Sequence, residues 1–151
     1  MITFQHESLA AVKEELKPLL HEHWHLVAMY QDKIKLNPDW KEYARLDAAG
    51  VLRIFTARQD GKLVGYFVLV IQKSLHYSDH YFATNDVIFV KPDSRANATG
   101  YKLLKYAEDY CRDCGVSLLT INTKVSLPFD KLMTSNGFDY AERVYTKYLG
   151  E

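Results

Sequence analysis

The stretch of residues 86–114 constrains the fold most, because a strand pattern, a loop of small residues and a helix pattern follow one another without a break. The apolar residues 87–90 are typical of a buried strand, and Pro92 ends that pattern. Beyond the loop, apolar residues recur on one face of an expected helix: Leu103, Leu104, Ala107, Tyr110, Cys111 and Cys114. The stretch therefore predicts a strand, a short loop and a helix in direct succession.

The loop of residues 95–100 has the chemistry of an anion-binding site. Its sequence is Arg-Ala-Asn-Ala-Thr-Gly, and small side chains let an anion approach the backbone closely. The first turn of a helix has free N–H groups, and the helix dipole adds positive potential there. Arg95 adds several donors at the mouth of the loop. We therefore expect a phosphate group to bind where the loop enters the helix.

Two helical segments are expected before the strands begin. Ser8 is a suitable N-cap for the first helix, and Pro18 should kink or end it. Asn37 is the expected cap of the second helix, with Pro38 at its first position. Gly50 is the expected stop of that helix.

Strand patterns dominate the rest of the chain. The expected strands cover residues 2–5, 51–58, 63–72, 80–90, 116–122 and 140–149. Asp60-Gly61 is a strong hairpin signal, and the almost continuous apolar run 63–72 indicates a strand buried on both faces. A helix over 100–114 and a short one over 128–136 complete the order, which places helices first and then a strand meander with a later β-α-β-α-β arrangement.

Part of this pattern resembles the GNAT N-acetyltransferase superfamily. The match to its coenzyme A signature rests on Val90, Pro92, Arg95, Gly100 and Leu103. The signature usually has glycine where Ala98 stands, so a turn that needs positive φ at residue 98 would be strained. The match to its second motif and closing strand rests on Phe129, Leu132, Gly137, Phe138, Tyr145, Lys147 and Leu149. Further segments of the chain are similar to uncharacterised GNAT proteins encoded by phages.

The resemblance implies an α/β GNAT fold. Residues 1–151 would form a single domain, with a central mixed, mostly antiparallel β-sheet flanked by helices. A splayed strand would precede the coenzyme A pyrophosphate loop. The implied function is acetyl-CoA-dependent transfer of an acetyl group to an amine of a small molecule or protein, by direct attack in a ternary complex. The alternative is a catalytically silent GNAT-fold module that binds CoA or a protein partner.

The resemblance also implies positions for the cofactor and for proton transfer. The implied acetyl-CoA-binding residues are Phe89, Val90, Arg95, Ala96, Asn97, Ala98, Thr99, Gly100, Tyr101, Ser126 and Phe129. Asp86 matches a carboxylate that serves as general base in several members, although a structural hydrogen bond is an equally good explanation. His76 is the competing base. Met133 stands where many members have a proton-donating tyrosine, and the candidates to replace it are Tyr101, Tyr140 and Tyr145.

Several aromatic and sulfur-containing residues have two explanations each. Trp24, His25, His76 and Tyr77 are candidates for the acceptor pocket or for surface packing. His21 and His25 have zinc-ligand spacing on a helix, but no third ligand is evident, so we expect no metal site. Cys111 and Cys114 fall in the last turn of a helix and on its apolar face, which favours core packing over redox chemistry.

Charge and hydropathy exclude some classes of partner. Lys and Arg total 19, as do Asp and Glu, so nothing indicates a nucleic-acid surface. The sequence has no apolar run long enough to span a membrane and no signal-peptide pattern. Two cysteines cannot build a disulfide framework, which fits the cytoplasm, or the host cytoplasm if the protein is phage-encoded. A homodimer remains open.

Overall fold

The computed structural model describes residues 1–125 and 128–150, with every side chain in those ranges except that of Asn97. The helices are Leu9–Val27 (α1), Trp40–Ala48 (α2), Thr99–Asp113 (α3) and Asp130–Ser135 (α4). The strands are Ile2–Glu7 (β1), Leu52–Gln59 (β2), Lys62–Lys73 (β3), Tyr81–Val90 (β4) and Val116–Thr120 (β5). Two short 3-10 turns, Pro92–Ser94 and Ala96–Ala98, connect β4 to α3. Within the described ranges, no helix is long and apolar enough to cross a bilayer.

The strands form one five-stranded sheet in the order β1-β2-β3-β4-β5. All neighbours are antiparallel except β4 and β5, which are parallel. Residues 63–69 of β3 are all buried, as the apolar run predicted. On one face the core packs against α1 and α2, and on the other it packs against α3 and α4. This arrangement confirms the α/β fold with a mixed, mostly antiparallel sheet.

Helix α1 has the predicted N-cap, and it rules out one of the two alternatives given for Pro18. Its N-cap is Ser8, whose Oγ accepts a hydrogen bond from the N–H of Ala11 at 3.3 Å. Pro18, however, lies inside the helix and does not end it. A proline in a helix interior costs about 3 kcal/mol. The buried residues of α1 lie on both sides of Pro18, from Leu9 to Val27, and their packing on the sheet offsets that cost.

Helix α2 begins later than Asn37 and Pro38 predicted. Its N-cap is Asp39, whose carboxylate accepts a hydrogen bond from the N–H of Glu42 at 3.0 Å. Asp39 and Glu42 have capping-box spacing, which is the sequence signal that the Asn-Pro interpretation overlooked. Gly50 follows the helix with φ +76°, so the predicted stop is confirmed.

The two ends of the strand region differ in how well they were predicted. Asp60 and Gly61 both have positive φ, +50° and +85°, and they join β2 to β3 in the predicted tight hairpin. The predicted closing strands over 140–149 are wrong, because residues 138–150 form no strand. Val144 and Leu149 are exposed there, and the Tyr148 ring lies 6.0 Å from that of Tyr30. Strand propensity alone does not form a strand where no partner edge and no burial support it.

Candidate functional site

A gap opens where β4 and β5 separate. Residues 81–84 of β4 pair with β5, and the ladder then ends. The Asn85 side chain replaces it: its Nδ2 donates to the Asn122 carbonyl at 3.1 Å, and the Asn122 N–H donates to its Oδ1 at 2.8 Å. Because β4 continues to Val90, no strand among residues 1–125 and 128–150 pairs with the edge of residues 86–90 on the β5 side. The splayed strand implied by the resemblance is therefore present.

A β-bulge places Asp86 at the start of this free edge. Val68 pairs with Val87, but Leu69 pairs with Asn85, so Asp86 has no partner on β3. The Tyr43 hydroxyl of α2 donates a hydrogen bond to Asp86 Oδ2 at 2.5 Å. Burial and this contact raise the pKa of Tyr43.

Asp86 stands beside apolar residues in the sequence, but its side chain is exposed. Apolar residues next to it in the sequence point into the core, since side chains of a strand alternate between faces. Val87 packs against the α1 side, and Ile88 packs against the α3 side. The carboxylate is left at the opening of the cleft.

The end of β4 is held close to β3. A β-carbon on Gly65 would lie 3.1 Å from Val90 Cγ2 and 3.2 Å from the Phe89 carbonyl oxygen, so glycine permits this approach. The Lys91 N–H donates to the Val64 carbonyl at 2.8 Å, directly before the loop. These contacts fix the direction in which the chain leaves the sheet toward α3.

The loop presents backbone more than side chains. Arg95 folds back, so its Nε donates to the Val90 carbonyl at 2.8 Å and its guanidinium lies 5.8 Å from the Phe89 ring. Thr99 is buried, and its hydroxyl donates to the Ala96 carbonyl at 2.9 Å. Ala98 is left-handed, at φ +58° and ψ +36°, and caps α3 without a side-chain hydrogen bond. The first N–H groups of α3 are therefore available for an anion.

The other residues implied for the cofactor lie around this loop or beyond it. Gly100 is in the first turn of α3, and a β-carbon there would be 3.8 Å from Leu132 of α4. Tyr101 is exposed on α3, whereas Phe129 is half-buried against the core. Ser126 lies outside the described residues.

His23 of α1 lies on the opposite side of β4 from α3, and the sequence analysis missed it. Its ring is nearly parallel to that of Phe89, at a centroid distance of 4.8 Å, and its Nδ1 lies 3.3 Å from the Tyr66 hydroxyl. Burial, and then the charges of Lys124 and Arg95, lower the pKa of His23 from 6.5 to about 4. Its spacing of four residues from the buried Leu19 was the available signal, because that spacing puts both on the core-facing side of α1.

Trp24 and His25, expected in the acceptor pocket, form a separate cluster with His21. The His21 and His25 Nε2 atoms are 3.1 Å apart, and the Trp24 and His25 ring centroids are 5.0 Å apart. The structure does not bring them together with Phe89 or Asp86. Across residues 1–125 and 128–150, no group of three or more His, Cys, Asp or Glu side chains is arranged to hold a metal ion.

The remaining candidates lie in two regions away from the loop. His76 and Tyr77 lie in the turn before β4, with their ring centroids 4.7 Å apart. Five residues of strand separate that turn from Asp86, roughly 17 Å, so His76 and Asp86 are not neighbours. Tyr145 is 83% exposed in the C-terminal segment and contacts Arg143.

Met133 and Cys111 are buried in the core, whereas Cys114, which was expected there, is exposed. Met133 is buried between α4 and the sheet, so this position supplies no proton donor. Cys111 is buried as predicted, and burial, followed by nearby Cys114, raises its thiol pKa to about 11. The expectation that Cys114 packs in the core is wrong, because it is exposed at the end of α3. An unreactive Cys111 argues against dithiol chemistry.

The structure is that of an α/β protein whose mixed sheet splays beside a helix N-terminus. The sequence pattern of the acetyltransferase (GNAT) family matches residues 10–133, so the chain belongs to that family. No relative is found among curated protein sequences.

Solved structures with the same fold include several N-acetyltransferases. Ribosomal-protein-alanine N-acetyltransferase from Brucella melitensis biovar Abortus 2308 is 20% identical, with a TM-score of 0.74 over 99% of this chain and 100% of that one. An aminoglycoside acetyltransferase from an uncultured soil metagenomic sample is 14% identical, with a TM-score of 0.76 over 100% and 99%. Glucosamine-6-phosphate N-acetyltransferase from Arabidopsis thaliana is 14% identical, with a TM-score of 0.73 over 99% of each chain. These likenesses support the fold.

Proposed function

We propose that this protein transfers an acetyl group from acetyl-CoA to an amine, by direct attack in a ternary complex. The observation that carries the proposal is the free edge of β4, which leads directly into a small-residue loop and the N-terminus of α3. The residues fit the cofactor, because an unpaired strand edge can bond the amides of a pantetheine arm and free helix N–H groups can bond a pyrophosphate. Arg95 would add its two terminal nitrogens, which make no hydrogen bond within the described residues.

The residues that would hold acetyl-CoA lie along this path. Phe89 and Val90 would bond the arm through their backbone, residues 95–101 would hold the pyrophosphate, and Phe129 would close the far wall. Ser126 also remains a proposed cofactor contact. Bound acetyl-CoA supplies the activated acetyl group, whose carbonyl carbon forms a bond to the amine nitrogen as its bond to sulfur breaks. The chain positions the two reactants and removes a proton from the ammonium.

Asp86 is the proton acceptor in this proposal, acting through water. It is exposed at the bulge, and Tyr43 holds one carboxylate oxygen in place while the other remains accessible to water. A water path would carry the proton from the substrate ammonium to this exposed carboxylate. The acceptor is an amine of a small molecule or protein.

The first experiment measures binding of the cofactor. CoA at 100 times its Kd should add about 2.7 kcal/mol to the free energy of unfolding, seen as a thermal shift. Gly100→Glu should abolish the shift, because its carboxylate would occupy the place of a phosphate. Gly100→Ala is the matched control, since its β-carbon meets Leu132 at an ordinary contact distance of 3.8 Å. No shift of the unmodified protein at millimolar CoA refutes the cofactor assignment.

The second experiment compares the two candidate bases. Asp86→Asn should lower kcat by roughly 10²–10⁴-fold and leave CoA affinity nearly unchanged. His76→Gln should have little effect, because His76 lies in the turn at the far end of β4. Both variants are followed from pH 5 to 10 with the best amine of a panel. Normal turnover by Asp86→Asn with a lost acidic limb in His76→Gln would assign the base to His76 instead.

A second candidate function is a catalytically silent module that binds CoA or a protein partner, because Met133 stands where many members have a proton-donating tyrosine. The phenols proposed for protonating the departing thiolate are Tyr101, Tyr140 and Tyr145, and all three are exposed. CoA release with a panel of primary amines separates the two functions. Turnover of any amine excludes the silent module, whereas a CoA-dependent thermal shift without turnover supports it.

A further inference from the structure

His23 is an ionisable side chain that stacks on Phe89 near the end of β4, and the proposed mechanism does not yet use it. Its ring covers one face of Phe89, the residue whose backbone is proposed to meet the thioester end of acetyl-CoA. Asp86 is three residues further back along β4, roughly 10 Å away. A group in contact with Phe89 is therefore closer to the reacting atoms than Asp86 is.

We propose that His23 is the catalytic residue that accepts the proton directly from the acceptor ammonium, and that Asp86 receives it afterwards. The inference rests on the proposed acetyl transfer. The ammonium gives one proton to His23 Nε2, which leaves the amine lone pair free to attack and makes His23 an imidazolium. The imidazolium then releases that proton through water to the Asp86 carboxylate, and Asp86 passes it on to solvent, so both side chains return to their starting states.

Hydrogen bonds around Tyr66 determine which nitrogen of His23 carries a proton. The Tyr66 hydroxyl lies 3.4 Å from the Leu19 carbonyl and 3.3 Å from His23 Nδ1. A carbonyl only accepts, so both contacts are hydrogen bonds only if Tyr66 donates to Leu19 and accepts from Nδ1–H. With the opposite tautomer, Tyr66 would have to donate to Nδ1, and its oxygen would then face the Leu19 carbonyl oxygen with no proton between them. The favoured tautomer leaves a lone pair on Nε2.

The surroundings of His23 keep it neutral before the substrate binds. Tyr66 of β3 and Phe89 of β4 bury it, while Arg95 from the loop and Lys124 from the segment after β5 act on it with positive charge. A neutral imidazole at neutral pH has its lone pair available as an acceptor. Phosphate groups at the loop would offset those two positive charges and strengthen His23 as a base when acetyl-CoA is bound.

The Tyr66 hydroxyl is a polar group beside His23 on the α1 and α2 side of the sheet. Its pKa is raised by burial and then by the charges of Glu22, Tyr43 and Asp86. The other residues packed on that side of the sheet are largely apolar, among them Val68 and Val87. The proton would therefore reach Asp86 through water at the exposed edge of β4, where the carboxylate is accessible.

The test uses the full chain and compares His23→Gln with His21→Gln, an exposed control on the same helix. For the best alkylamine of the panel, His23→Gln should lower kcat/KM by roughly 10²–10⁴-fold, with the CoA-induced thermal shift retained. For a weakly basic aromatic amine, which needs no deprotonation, the loss should stay below about ten-fold. Equal losses for both amines indicate a structural role and overturn the proposal, as does normal turnover.

A double variant and a spectrum complete the design. His23→Gln combined with Asp86→Asn should be hardly slower than the worse single variant, because both act on one path. NMR of the unmodified protein at pH 7 should show His23 with its proton on Nδ1, and a proton on Nε2 refutes the proposal even if a variant fails to fold. Failure of the unmodified chain to bind CoA refutes the proposed function instead, so the two failures are distinguishable.

Discussion

Replacing Ala98 by glycine should stabilise the protein, because Ala98 has a left-handed backbone. Its φ is +58° and its ψ is +36°, directly before α3. This conformation costs a residue with a β-carbon roughly 1–2 kcal/mol, which glycine avoids. Glycine adds about 0.4–1 kcal/mol of entropy to the unfolded chain, which opposes the gain. Ala98 is exposed, so little packing is lost, and Ala98→Gly should raise the free energy of unfolding by about 0.5–1 kcal/mol.

Ala96→Gly provides a control of opposite sign. Ala96 is also exposed and lies in the same turn, but it is not among the residues with positive φ. Glycine there relieves no strain, so Ala96→Gly should lower the free energy of unfolding by about 0.4–1 kcal/mol. Urea denaturation measures both changes, and each kcal/mol should move Tm by about 2–4 °C in a chain of this size.

The sign of the difference decides the outcome. If Ala98→Gly and Ala96→Gly destabilise equally, residue 98 is not left-handed in solution, and the geometry of the anion loop described above is wrong. If only Ala98→Gly stabilises, the chain retains a strained residue where the GNAT signature usually has glycine. CoA should then shift the Tm of Ala98→Gly at least as much as that of the unmodified protein.

Three further predictions concern buried groups. The pKa of His23 is about 4 in the folded protein and 6.5 in the unfolded chain. Between pH 6.5 and pH 4 the unfolded chain therefore binds more protons than the folded protein, so the free energy of unfolding should fall as pH falls through this range. The loss should be about 1–2 kcal/mol after allowance for partial exposure, and His23→Gln should remove it in urea titrations from pH 4 to 7. Glu7→Gln breaks a largely buried ion pair with Arg58 and should cost about 2–3 kcal/mol by the same assay. Cys111→Ala should cost about 1–2 kcal/mol and Cys114→Ala less than about 0.5, and the double variant should keep its transferase turnover.

Local chemistry was sufficient to predict the elements that depend on neighbouring residues. Asp60-Gly61 supplies two residues that tolerate positive φ, and the hairpin follows from that property alone. The run 63–72 predicted a central strand, because few other environments accept so many consecutive apolar residues. The small-residue loop before α3 was found in the same way, since its spacing reflects the geometry of a helix start.

Elements that depend on distant contacts were predicted less well. Pro18 remains helical because helix residues on both sides of it are buried against the sheet. The free energy of that burial comes from residues distant in sequence, so the local effect of proline alone could not predict it. The segment 140–149 has strand propensity, but it forms no ladder with β5. His23 was missed because the sequence shows three alternating histidines, and only packing against Phe89 distinguishes the middle one.

The irregular features of the fold follow one another along a single path through the candidate site. Asn85 ends the β4–β5 ladder with its side chain, Asp86 forms a bulge, and Ala98 adopts a left-handed turn before Thr99 begins α3. Each feature leaves backbone or a carboxylate accessible where a regular element would have paired or buried it. A regular sequence pattern predicts paired strands and unstrained turns. Residues that depart from this regular structure are therefore the ones whose polar groups stay accessible to a ligand. Ala98→Gly and Asp86→Asn therefore test whether these irregular features serve the site. Ala98→Gly removes backbone strain and should leave CoA binding intact, whereas Asp86→Asn removes the carboxylate and should leave the fold intact.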